Sequence, residues 1–146
     1  MTHCSHKSGI FMKKLKLMIC RPEGRLTGDR VGDLFACAGC SKMPGFDAVN
    51  RFHDFRAVTG IDIDFHNMKA MAREEAFVRR NQPPIKACYL VSNPAVYGLV
   101  RMYKAMMTGC GVEVHVSKDI QELAAELGVS EDQLELKDSA ASDASS

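Results

Sequence analysis

The spacing of apolar positions changes along the chain from every second residue to every third or fourth. Over residues 14–20, lysines alternate with large apolar side chains, which is typical of a strand with one buried face. Apolar segments at 85–91 and 112–116 predict two further strands, and residues 47–55 predict another that is unusually polar for a buried parallel strand because it contains Asn50, Arg51 and His53. Residues 25–27 follow a Pro-Glu-Gly turn and predict a short second strand that pairs back on the first.

Between the strands, apolar residues recur at helical spacing. This spacing predicts helices over 28–39, 64–80, 94–108 and 117–127. Asn93 before Pro94 is a strong start signal for the third helix, and Gly128 ends the fourth. The apolar positions of the other three helices are Val31, Leu34, Phe35 and Ala38; Phe65, Met68, Met71, Ala72 and Ala76; and Ile120, Leu123, Ala124 and Leu127.

The alternation of strands and helices predicts an α/β fold. We expect one layered domain with a mixed, mostly parallel sheet of about five strands, about four helices and an antiparallel opening hairpin. The domain is expected over 13–128, after a disordered leader at 1–12. Residues 129–146 predict an acidic, serine-rich flexible tail that begins with a capping box at Ser130 and Gln133.

Composition excludes several classes of partner. The formal net charge of +1 gives no reason to expect nucleic acid or an anionic membrane surface. The apolar runs fall far short of the roughly 20 residues that cross a bilayer, and no signal peptide is visible. We therefore expect a cytoplasmic protein without membrane insertion, whose six cysteines are mostly free thiols.

Three aspartates lie in a central segment, residues 53–65. We interpret this segment as a strand end, a short turn containing Gly60 and the start of a helix. Two interpretations of Asp54, Asp62 and Asp64 are open. They form a carboxylate cluster at the carboxyl edge of the sheet, suited to a hard cation or to acid–base work. Alternatively, Asp62 and Asp64 satisfy the free amides and the dipole of the helix start, which is the interpretation we favour.

Other chemistry is weakly indicated. Cys37 and Cys40 form a CxxC at the C-terminal end of the first helix, where the dipole disfavours a reactive thiolate, so a thiol enzyme is the remote alternative. The histidines His53, His66 and His115 share no common spacing, and no Ser/His/Asp set can be assembled. We predict no catalytic residue, no metal and no cofactor.

The helix at 94–108 is apolar around most of its circumference. A helix that covers a sheet needs only about a 100° apolar stripe, so the surplus needs a partner. A homodimer or neighbouring helices would bury it, and a pocket for a small apolar, lipid-like ligand is the alternative. The candidate ligand-binding residues are Asn93, Tyr97, Gly98, Arg101 and Met102.

Three segments in this order resemble a known family. They are the Asp-Phe-x-x-Val-x-x-Ile-Asp segment at 54–62, the strand-to-helix passage at 87–103, and the strand at 112–116 that leads to Asp119. Together they resemble the STAS superfamily of anti-sigma-factor antagonists, and more narrowly the SpoIIAA-like proteins, over about residues 13–128. The resemblance implies a STAS fold and a regulatory, protein-binding role.

Antagonists of this type carry a serine directly after the second aspartate, and a partner kinase phosphorylates it as a binding switch. The corresponding residue here is Ile63, which has no hydroxyl, and Asp64 offers one fixed charge instead of the ~1.5–2 charges of a phosphoserine. The resemblance therefore implies a non-catalytic interaction module without this switch, whose protein partner is unidentified. The candidate partner-binding residues are Asp54, Gly60, Asp62, Ile63, Asp64 and Phe65.

Overall fold

The computed structural model describes residues 2–3, 9–27, 45 and 48–136. The helix predicted over 28–39, with Cys37 and Cys40, lies outside the described residues, as does the tail beyond Leu136. The described residues confirm an α/β fold with a mixed, mostly parallel sheet.

The main sheet has six strands. In spatial order they are β1 (Thr2–His3), β2 (Gly9–Met12), β3 (Leu17–Cys20), β5 (Asn50–Asp54), β7 (Ile85–Leu90) and β8 (Val112–Ser117). The first three strands pair antiparallel, and β3, β5, β7 and β8 pair parallel. The parallel strands place their carboxyl ends at one edge of the sheet.

The opening hairpin differs from the prediction. Residues 25–27 lie in β4 (Gly24–Thr27), which pairs parallel with β6 (Val58–Asp62) in a separate two-stranded sheet. The antiparallel partner of β3 is β2, which falls inside the predicted leader and buries Phe11 and Met12. The leader prediction is therefore wrong for 9–12, because these residues supply both a ladder of backbone hydrogen bonds and apolar core contacts.

Four helices lie among the described residues: α1 (Phe65–Arg79), α2 (Pro94–Met106), α3 (Ile120–Leu127) and α4 (Glu131–Leu134). Helices α1 and α2 share one apolar cluster with Tyr89, and α3 and α4 share another with Cys88. Since neighbouring side chains of a strand point to opposite faces, the two helix pairs cover opposite faces of the sheet.

The local helix signals are confirmed. The Asn93 side chain accepts hydrogen bonds from the backbone amides of Ala95 and Val96, with Pro94 in the first helical position. Gly128 ends α3 with a left-handed φ of 70°, which a glycine adopts without steric cost. Ser130 and Gln133 form the predicted capping box of α4.

The predicted flexible tail begins too early. Leu134 of α4 is fully buried in the second apolar cluster, and its carbonyl accepts a hydrogen bond from the guanidinium of Arg21. The packed fold therefore extends at least to Leu136, where the description ends.

Candidate functional site

Most of the residues predicted to bind a partner lie in the second half of β6, in the two-residue connection after it, and at the first position of α1. Asp64 is the N-cap of α1, and its carboxylate accepts a hydrogen bond of 2.8 Å from the backbone amide of Asn67. This confirms the capping interpretation for Asp64. The interpretation is wrong for Asp62, which ends β6, and the predicted turn at Gly60 is wrong because Gly60 lies within that strand.

Asp62 forms a two-pronged ion pair with Arg25 of the neighbouring strand β4. The distances are 2.7 Å from Nε to Oδ2 and 2.9 Å from Nη2 to Oδ1, and both side chains are more than half exposed. The hydrogen bond from Arg25 lowers the pKa of Asp62. A Cβ atom on Gly60 would lie only 2.8 Å from Nη1 of Arg25, so the glycine lets this guanidinium cross over β6.

Asp54 ends β5 and is nearly buried in a different set of contacts. Arg56 donates to both of its carboxylate oxygens, at 2.9 and 2.7 Å, and Nε of Arg21 lies 3.7 Å away. Arg56 also forms an ion pair with Glu135, which directly follows α4. The hydrogen bond to Asp54 raises the pKa of Arg56. Asp54 therefore fixes the junction of β5, the following turn and α4.

The structure does not bring Asp54, Asp62 and Asp64 together as a carboxylate cluster. Asp54 ends a strand of the main sheet, Asp62 ends a strand of the small sheet, and Asp64 turns to the amides of α1. Each carboxylate already has a partner of opposite charge or a backbone donor. A cation held jointly by the three is not supported by this arrangement.

Phe65 is the most exposed apolar residue of the segment. Its side chain is 51% exposed, although the sequence places it on the buried arc of α1 with Met68 and Ala72, which are buried. A helical side chain leans toward the N-terminus of its helix, so the side chain of the first residue extends beyond the first turn. Lys69 lies over the ring at 6.0 Å, while Ile63 packs partly into the core.

Three of the five candidate ligand residues lie on the exposed side of α2. Gly98, Arg101 and Met102 are exposed, and a Cβ atom on Gly98 would meet nothing within 4 Å. Asn93 is half-buried and occupied by its capping bonds, and Tyr97 packs partly into the core. The side of α2 that faces the sheet is filled by Val96, Val100, Tyr103 and the following Met107, all at most 1% exposed.

The sequence did not predict the partners of the polar residues that β5 carries into the core. Arg51 forms an ion pair with Glu75 of α1, and the His53 ring stacks on the Tyr89 ring with centroids 4.4 Å apart. Burial raises the pKa of both Tyr89 and Tyr103, so both phenols stay neutral. The polar sequence of this strand was a signal that these side chains find partners inside the fold.

A donor set on β8 and α3 was also missed. Nε2 of His115 lies 2.5 Å from Glu113 and 3.4 Å from Glu126, and the three ligand atoms lie within 4.8 Å of one another. These residues can hold a divalent cation, since imidazole and carboxylate are ordinary ligands. Lys86 already lies 3.5 Å from Glu126, and the hydrogen bond with His115 lowers the pKa of Glu113. The Glu-x-His spacing in a strand was the available signal; Glu126 comes from a separate helix.

The chain matches no protein-family model, no curated protein and no solved structure. Within the described residues, no helix has both the length and the apolar character needed to span a membrane.

Proposed function

We propose that this protein is a non-catalytic regulatory module with a STAS-like, SpoIIAA-like fold that binds a protein partner at the start of α1. The binding surface, which we call the junction surface, consists of Gly60, Asp62, Ile63, Asp64 and Phe65. The observation that carries the proposal is the 51% exposure of Phe65 at the first position of α1, three residues after the end of β6. A large exposed aromatic side chain with charged neighbours is typical of the centre of a protein-binding site.

The surroundings of Phe65 support this role. The cap at Asp64 fixes the first turn of α1, and the Arg25–Asp62 ion pair fixes the end of β6, so the ring is presented from an ordered backbone. Little ordering entropy then remains to be lost on binding. We infer that the partner offers an apolar pocket for Phe65 with hydrogen-bond donors around it for the two carboxylates.

Asp54 acts indirectly in this proposal. Its carboxylate is buried between Arg56 and Arg21, so it holds the turn before β6 and leaves contact with the partner to the exposed residues. Ile63 packs partly into the core and has no hydroxyl group. The module therefore binds without phosphorylation at this position, and its occupancy follows the concentration of the partner.

Substitution of Phe65 tests the proposal better than substitution of Asp64. Loss of the N-cap would cost about 1 kcal/mol of stability and would confuse folding with binding. Phe65→Ser removes an exposed ring that contributes little to the core. Two exposed apolar residues elsewhere provide controls, namely Val78 at 48% and Met102 at 39% exposure.

The experiment is affinity capture from the native cell extract with wild-type protein, Phe65→Ser, Val78→Ser and Met102→Ser, quantified by mass spectrometry. We expect at least one protein whose recovery falls tenfold or more with Phe65→Ser and is unchanged with the two controls. Thermal unfolding of each variant shows that the fold is retained. Equal recovery with Phe65→Ser, or no protein recovered by the wild type, would contradict the proposal.

A further inference from the structure

A cleft lies at the other end of α1. A cleft of about 670 Å³ opens between the last turns of α1 and the loop that connects α2 to β8. Phe77 on its wall is twelve residues from Phe65, which is about 18 Å along the helix at roughly 1.5 Å per residue. The cleft is therefore separate from the junction surface. We call this space the α1-end cleft.

The lining of the α1-end cleft is strongly basic. Its lining includes Arg73, Arg79 and Arg80, and no acidic residue of the described part of the chain. The partial negative charge at the C-terminus of α1 is only about half an elementary charge, so the guanidinium groups dominate the local field. The cleft therefore favours an anion.

The three arginines are differently placed. Arg79 is 2% exposed, and its guanidinium donates to the carbonyl of Pro83, so it is a fixed charge beneath the cleft. Arg73 and Arg80 are exposed at the rim. Within the described residues neither of these two forms an ion pair, whereas Arg25, Arg51 and Arg56 are paired with carboxylates.

An aromatic ring lies beside these charges. Phe77 is 69% exposed, and the guanidinium of Arg80 lies 5.6 Å from the centre of its ring. The opposite wall includes Gly109 and Gly111, whose φ values of 77° and 83° lie in the left-handed region that favours glycine. One wall thus offers a stacking surface and the other offers backbone without side chains.

We propose that the α1-end cleft binds a nucleoside polyphosphate, with its phosphates at Arg73 and Arg80 and its base on the ring of Phe77. Guanidinium groups bind phosphate oxygens through paired hydrogen bonds, and an exposed aromatic ring stacks on any planar base. The cleft volume falls within the range of about 300–1,000 Å³ that is usual for small-molecule sites.

Calorimetric titration of the full chain with adenosine diphosphate, inorganic pyrophosphate and adenosine tests this assignment. We expect adenosine diphosphate to bind at least tenfold more tightly than pyrophosphate, and adenosine to bind weakly. The double variant Arg73→Gln/Arg80→Gln should lose at least tenfold in affinity for both phosphates. Phe77→Ala should weaken binding of adenosine diphosphate and leave that of pyrophosphate unchanged.

Arg101→Gln is the matched control, because Arg101 is an exposed arginine of α2 outside the cleft. Equal losses with Arg101→Gln would show unspecific attraction and overturn the site. Equal affinity for pyrophosphate and adenosine diphosphate would overturn the stacking of a base. Dissociation constants above 1 mM for both phosphates would overturn the proposal as a whole.

Cys110 provides a second measurement that needs no variant. Its half-buried thiol lines the α1-end cleft, whereas Cys88 is fully buried elsewhere in the fold. Adenosine diphosphate at saturation should slow alkylation of Cys110, followed by peptide mapping, at least threefold. An unchanged rate at Cys110 while the nucleotide is bound would place the nucleotide somewhere else.

Discussion

The guanidinium of Arg51 and the carboxylate of Glu75 form an ion pair of 2.7 Å that joins β5 to α1 inside the fold. The two side chains are 2% and 16% exposed. A charge buried to this extent is tolerated only when a partner of opposite sign and hydrogen bonds replace its lost water. This pair explains how a strand as polar as β5 occupies the centre of a mostly parallel sheet.

Glu75→Ala is expected to destabilise the protein strongly. The substitution leaves the buried charge of Arg51 without this carboxylate, and loss of one member of a buried pair costs about 3 kcal/mol. The measurement is the free energy of unfolding from urea denaturation at pH 7. Glu74→Ala, at the exposed neighbouring position, is the control and should change this free energy by less than about 0.5 kcal/mol. Equal effects of the two substitutions would show that the pair contributes nothing specific.

The pKa of Asp62 should depend on a glycine that it does not contact. Because a Cβ atom on Gly60 would lie 2.8 Å from Nη1 of Arg25, Gly60→Ala forces this guanidinium away from Asp62. We expect the pKa of Asp62, followed by carboxyl NMR during a pH titration, to rise toward its ordinary value of about 3.9. Gly98→Ala is the control, since a Cβ atom there meets nothing within 4 Å.

The same ion pair predicts the direction of a pH effect on stability. The folded-state pKa of Asp62 lies below its unfolded value, so the pair contributes fully above the unfolded pKa. Its contribution is lost as the pH falls through the folded-state pKa. In Gly60→Ala, the part of acid destabilisation that comes from Asp62 should therefore disappear. A pKa of Asp62 that is the same in both proteins would refute the role given to Gly60.

Leu134→Ala tests whether α4 belongs to the packed domain. Leu134 is fully buried in the second apolar cluster, and truncation of such a side chain costs about 3 kcal/mol. The free energy of unfolding measures this loss. Leu136→Ala, at a partly buried position two residues later, should cost clearly less. If Leu134→Ala leaves stability unchanged, α4 does not belong to the packed domain.

Asp64 and Asp62, the two carboxylates near Phe65, differ in how far their partners lie along the chain. The N-cap at Asp64 could be predicted because the bond joins residues three positions apart. The role of Asp62 could not, because its partner Arg25 lies 37 residues away in a strand that joins a separate sheet. The α1-end cleft is of the same kind, since its walls come from α1 and from the loop before β8.

The sequence by itself determined the α/β class, the order of most strands and helices, and the caps at Asn93, Gly128 and Ser130. These features depend on side-chain periodicity and on contacts within about four residues, which a single chain carries in its local pattern. Only the tertiary structure decided that β2 belongs to the sheet, that β4 pairs with β6, and that Phe65 is exposed. The pairing of strands and the depth of burial depend on which distant segments meet, and residue spacing does not encode that choice.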